Sequence, residues 1–171
     1  SMGGKTAMLY SLMYPDTINK LIVVDILPVN YNTNYDEIFR ALLEIDLKEI
    51  RSRNDFNIHL NKHFDDPNFI LFLSKNLQRT NDGRFNFKSN IKVLYKKYKN
   101  ITAGFKFINQ FKNEVLFIKG EKSKYIDPYK LKLSEMFFPN YKLQKIRNAG
   151  HWVHHENPND FFLVCFDYLN N

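Results

Sequence analysis

A chain of 171 residues, 44% hydrophobic and 16% aromatic, can bury a core of ordinary domain size, which excludes a disordered segment. Its net charge of +7 raises the question of nucleic acid, but acidic and apolar residues interrupt the lysine-rich stretches 92–99 and 119–132 and no nucleic-acid motif accompanies them. Those lysines read as solvated helix and loop faces that draw in anionic substrates, and the longest apolar runs, 21–24 and 69–73, are too short to span a bilayer.

No charged-then-apolar leader with a small-residue cleavage site opens the sequence, so no signal peptide is expected in it. The single cysteine, Cys165, cannot form an internal disulfide. Among Phe161, Phe162, Leu163 and Phe166 it reads as a small buried thiol, compatible with a reducing compartment.

In chain order, Ala7, Met8, Leu9, Leu12 and Met13 recur at helical spacing and predict a helix over 3–14, ended by Pro15 and Asp16. Residues 21–25, Leu-Ile-Val-Val-Asp, form a β-branched run without polar alternation, the pattern of a parallel strand buried on both faces. Beyond residue 35 the character changes. Ile38, Ala41, Leu42 and Ile45 keep helical spacing, and helices are predicted over 56–63, 68–77 and 91–98. Asn81-Asp82-Gly83 marks a turn between two of them, and strand patterns are nearly missing. Strand and helix alternate again from 115: a strand over 115–118, a helix over 129–138, a strand over 141–146 and a last helix over 159–169.

The expected fold is therefore α/β: three parallel strands with flanking helices, with residues 1–34 and 110–171 forming a partial core and 35–109 a helical cap. The opening helix has no strand before it, so the sequence reads as truncated at its beginning. The sheet is expected to show a bare edge, a site for pairing with another copy or a partner.

Ser1-Met2-Gly3 stands directly before the first helix and matches the second half of the nucleophile elbow G-x-S-x-G, where a sharp turn exposes a serine. Ser-Met is also what removal of an expression tag leaves. The amide of Met2, the residue after the serine, is the expected oxyanion donor. Asn148-Ala149-Gly150-His151-Trp152 puts a histidine in the loop between the last strand and the last helix, where a serine hydrolase of this fold needs its general base. The acid that orients such a histidine is Asp25, at the carboxyl end of the first strand, or alternatively Asp127 or Glu121 after the next strand. His59 and His63 have i, i+4 spacing, and His154 and His155 follow His151, but no carboxylate completes a zinc pattern and no metal or other cofactor is expected.

Ser1-Met2-Gly3-Gly4-Lys5-Thr6-Ala7-Met8, Val23-Val24-Asp25-Ile26 with Pro28-Val29, and Asn148-Ala149-Gly150-His151-Trp152 with His154 and Pro158 together resemble the α/β-hydrolase domain-containing protein 11 family and its small bacterial esterase relatives. Arg51-Ser52-Arg53, the run 72–77 and Gly83-Arg84-Phe85 resemble that family's insertion, so the likeness covers nearly the whole chain. It implies the C-terminal portion of an α/β-hydrolase fold beginning at the nucleophile elbow, with Ser1 as nucleophile, His151 as base and Asp25 as acid. It also implies hydrolysis of carboxylic esters or acyl thioesters, an intracellular place and, for animal members, a mitochondrial one. The chain departs from the family's pattern ahead of Ser1, where the first strands and the first oxyanion donor are missing.

Two further classes compete with a triad hydrolase. One is a non-catalytic fragment or pseudoenzyme that associates through the sheet edge. The other is an N-terminal-nucleophile hydrolase using the free amine of Ser1 as its base.

Overall fold

The computed structural model describes residues 1–32, 35–106 and 109–171. Residues 107 and 108, inside the expected cap, lie outside the described ones. The chain divides into two compact units, residues 1–31 with 101–171, and residues 32–100.

The first unit is built on a three-stranded parallel sheet. Helix α1 (Met2–Met13) and a single 3₁₀ turn at Pro15–Thr17 lead into β1 (Lys20–Val24). Later come β4 (Glu114–Gly120), α6 (Pro128–Ser134), β5 (Tyr141–Ile146), the short α7 (Val153–Glu156) and α8 (Pro158–Asn170). The strand order is β1-β4-β5, with Val23 opposite Phe117 and Phe117 opposite Leu143.

Successive side chains of a strand point to opposite faces, and in β1 and β4 both faces are covered, whereas residues 142–145 of β5 are exposed. Leu21, Val23, Val115 and Phe117 pack with Met8 and Leu12 of α1 and with Phe138. Ile22, Val24, Leu116 and Ile118 pack on the other side with Ile146, Val153 and Tyr168. That is why these strands lack polar alternation. Phe117 is fully buried, its ring 5.9 Å from that of Phe138 and 5.8 Å from that of Tyr141, so truncating it to Ala would cost about 3–5 kcal/mol.

Two details of this unit differ from the sequence expectation. Helix α6 ends at Ser134 rather than continuing to 138, and Phe137 and Phe138 turn inward to fill the core. The amides of both donate to the Ser134 carbonyl at 3.0 Å, which closes the turn. Cys165 is half-buried rather than enclosed. Only Phe161, Val164, Cys165 and Tyr168, at helical spacing, face the sheet, while Phe162, Leu163 and Phe166 are exposed.

The second unit is mainly helical: α2 (Asp36–Leu43), α3 (Arg53–Leu60), α4 (Pro67–Ser74) and α5 (Ile91–Thr102), the last running across the unit boundary. Its core gathers Leu42, Phe56, Leu60, Ile70, Leu73 and Leu77 among others. Ser52 and Asp55 form a reciprocal capping box at the start of α3, and hydrogen bonds from the Arg51 amide first and then from Ser52 hold the Asp55 carboxyl below its ordinary range. A short hairpin, β2 (Leu77–Arg79) with β3 (Phe85–Phe87), replaces the expected end of the helix over 68–77. The Asn81-Asp82-Gly83 turn therefore joins two strands rather than two helices, with Gly83 at φ 82°. Strands of three residues are too short to show a period of two.

Candidate active site

The carboxyl ends of β1 and β4 and the loop after β5 meet around Asp25. This residue follows β1 directly at φ 49°, a left-handed conformation that aspartate tolerates better than most side chains. Its amide donates to the Ile118 carbonyl at 2.8 Å, tying the turn to β4. The carboxylate is fully buried and accepts from three sides: the Gly120 amide at 3.3 Å, the Ser123 hydroxyl, and Nδ1 of His151 at 2.8 Å. Burying a carboxylate demands this degree of compensation.

The contact needs a proton on Nδ1 of His151 when the carboxylate is ionised, and in the neutral imidazole that tautomer leaves the lone pair on Nε2. The imidazole is 26% exposed. Its ring stacks on Tyr125, with centroids 4.0 Å apart and planes inclined by 22°. The loop beneath it is braced by two glutamates. Glu156 of α7 accepts the Gly150 amide at 2.8 Å and the Trp152 amide at 3.1 Å, and Glu121 accepts the Asn148 amide at 3.0 Å. Asn148 itself adopts φ 58°.

Ser1 stands at the N-cap of α1, exposed, and its amine donates to the Val24 carbonyl at 3.1 Å, one residue before Asp25. Desolvation lowers the pKa of that amine, and the Asp25 charge pulls it upward by less. Met2 is the first residue of α1, so its amide is among those a helix leaves without an intrahelical acceptor, where anionic oxygen is favoured. Close packing fixes this end of the helix. A Cβ on Gly4 would lie 2.7 Å from Cγ2 of Ile26 and 3.1 Å from Cγ1 of Val23.

The other two candidate acids are engaged elsewhere. Asp127 caps α6, accepting the Lys130 amide at 2.8 Å and its ammonium at 2.9 Å, and these hydrogen bonds hold its carboxyl below the usual range. Glu121 serves the Asn148 amide. The structure thus brings Asp25 and His151 into contact, sets Ser1 beside the strand end that carries Asp25, and directs Asp127 and Glu121 to structural hydrogen bonds.

Ser123, Tyr125 and Glu156 escaped the sequence reading. Loop residues carry no periodicity, and the available signal was position: Ser123 and Tyr125 follow the β4 end, and Glu156 follows the histidine loop. Among the described residues no group of three or more His, Cys, Asp or Glu could hold a metal ion, and no helix is long and apolar enough to cross a membrane. The rings of His59 and His63 lie 5.4 Å apart with their planes inclined by 35°, and Glu44 is 3.8 Å from His63.

A family model described as alpha/beta hydrolase fold matches residues 1–158. The chain belongs to the alpha/beta hydrolase fold family. Within it, the chain is 34% identical over 173 residues to Esterase YbfF of Escherichia coli, an alignment covering 100% of this chain and 65% of that protein. It is 31% identical over 175 residues to the sn-1-specific diacylglycerol lipase ABHD11 of Mus musculus, covering 99% of this chain and 57% of the lipase. A solved marine microorganism esterase superposes with a TM-score of 0.94 at 37% identity, covering 98% of this chain and 67% of that structure. These relatives bear out the resemblance to the domain-containing protein 11 family and to small bacterial esterases. This alpha/beta hydrolase chain spans 65% and 57% of the length of the two curated relatives.

Proposed function

We propose that this chain carries the catalytic centre of a carboxylic ester hydrolase that works through an acyl-enzyme, with Ser1 as nucleophile, His151 as general base and Asp25 as its orienting acid. The observation that carries this reading is the 2.8 Å contact between the buried Asp25 carboxylate and Nδ1 of His151, in a loop braced for that position. The esterase and lipase names of the relatives support the substrate class.

In this reading Oγ of Ser1 attacks the carbonyl carbon of the ester or acyl thioester while Nε2 of His151 takes the serine proton. The negative charge that develops on the carbonyl oxygen is met by the amide of Met2 at the start of α1. Collapse of the tetrahedral species expels the alcohol or thiol, which leaves with the proton held by His151. Water then attacks the acyl-serine, again giving its proton to Nε2, and the carboxylic acid departs with Ser1 restored. Asp25 stays ionised throughout and stabilises the imidazolium.

Treatment with a fluorophosphonate probe, read by intact mass, tests the assignment. An adduct on Ser1 that disappears in His151→Ala supports the triad. An adduct that persists in His151→Ala points instead to the amine of Ser1 as base. No adduct and no ester turnover, together with self-association in sedimentation, would replace the hydrolase reading with pairing through the β1 edge of the sheet.

A further inference from the structure

Tyr31 takes no part in the chemistry proposed above, yet it is 7% exposed and its hydroxyl is used twice. It accepts the Leu27 amide at 2.9 Å and donates to the Tyr125 carbonyl at 3.0 Å. Its own amide is fixed to the Thr102 carbonyl at 2.9 Å. The ammonium groups of Lys5 and Lys130 each stand 5.2 Å from its ring centroid, so the ring is held electrostatically as well.

A hydrogen bond at one nitrogen does not fix an imidazole. With only the Asp25 contact at Nδ1, the ring of His151 could swing about that axis and carry Nε2 away from its target. What removes this freedom is the ring of Tyr125, stacked on it at 4.0 Å. The backbone of Tyr125 is pinned at two points: its amide donates to Oγ of Ser123 at 3.2 Å, and its carbonyl accepts from Tyr31.

We propose that Tyr31 is a positioning residue for His151: its hydroxyl, bridging the Leu27 amide and the Tyr125 carbonyl, holds the ring against which the imidazole stacks. The bridge requires the hydroxyl to keep its proton, and burial, the largest influence on it, pushes the phenol pKa upward. Tyr31→Phe deletes one oxygen and leaves both backbone groups without this partner, while the ring and its packing stay. The role rests on His151 as the base of the hydrolase.

The test reads the ring resonances of His151 by NMR in the intact chain and in Tyr31→Phe and Tyr125→Leu. Tyr125→Leu removes the ring current and gives the unstacked position. Tyr31→Phe is expected to move the His151 signals part of the way there, and to lower the thermal midpoint by a few degrees because the Leu27 amide and the Tyr125 carbonyl lose their partner. In ester turnover it is expected to lower kcat by about tenfold with KM unaltered, short of the ~100-fold that a 1 Å misplacement can cost. In the unaltered protein the Tyr31 hydroxyl proton is expected to exchange slowly with solvent, a readout that needs no variant. His151 signals unmoved in Tyr31→Phe, or a freely exchanging hydroxyl, would overturn the proposal. A chain that turns over no ester but shows the shifted signals would instead remove the hydrolase reading and leave the Tyr31–His151 coupling standing.

Discussion

Gly120 and Gly150 approach so closely that a Cβ on the first would lie 1.9 Å from the carbonyl oxygen of the second. Backbone stands on the other side of that contact, so no rotamer change can relieve it. Gly120→Ala is therefore expected to push the histidine loop off the end of β4 and to destabilise the fold by about 1–3 kcal/mol or more, as overpacking does. Gly3 is the contrasting position, since a Cβ there meets nothing within 4 Å. Gly3→Ala in α1 is expected to leave stability unchanged or raise it by up to about 1 kcal/mol. Urea unfolding of the two variants checks both signs.

Two of the candidate acids, Asp25 and Asp127, separate by substitution. Asp25→Asn keeps the shape but offers an amide where Nδ1–H needs an acceptor, and is expected to cost about 10⁴ in kcat, the scale known for a triad acid. Asp127→Asn is expected to leave turnover intact and cost no more than about 1 kcal/mol of stability, since asparagine also caps helices. Steady-state kinetics beside thermal unfolding decides between them, and a loss of turnover in Asp127→Asn with none in Asp25→Asn would reverse the assignment.

Glu156 is exposed but accepts two amides of the histidine loop. Glu156→Ala is expected to cost about 1 kcal/mol, because water can replace part of what is lost. The larger effect is expected on order: hydrogen exchange of the Gly150 and Trp152 amides should accelerate while the β4 amides stay protected.

Lys5 gives a dependence on pH. Its ammonium is buried against the carbonyls of Val29, Thr102 and Ala103, and burial lowers its pKa from 10.5 to about 8. The folded value lies below the unfolded one, so between these pH values the unfolded chain binds more protons. Stability is then expected to rise with pH from about 8 to 10.5, by up to about 1.4 kcal/mol per unit from this group. Lys5→Met should flatten that rise. Urea midpoints at pH 7.5 and 10, taken as the difference between the two proteins, check the sign.

Much of the sheet was legible because a strand covered on both faces writes its burial into every residue, as in Leu21–Val24 and Val115–Ile118. The hairpin at 77–87 was not, because its strands are three residues each and only Leu77 is buried. Asp25 and His151 could be named from their places after strands. Ser123, Tyr125, Glu156 and Tyr31 could not, because their importance arises from contacts across loops, and a polar loop residue looks the same in sequence whether it faces solvent or a buried carboxylate. The partial exposure of Cys165 is not legible for a related reason: an apolar run around a helix does not say which side of it meets the sheet.

The partners that converge on the Asp25 carboxylate lie 95, 98 and 126 positions away along the chain. No local fragment can hold such a constellation, since each contact closes a long loop whose entropy must be met by other contacts first. During folding, helices and the hairpin can form early from neighbouring residues, whereas Asp25 acquires its hydrogen bonds only when β1, β4 and the segment after β5 have aligned. The His151 contact therefore reports that these three segments have aligned, and a chain in which they have not would be blank at this site however much helix it contained.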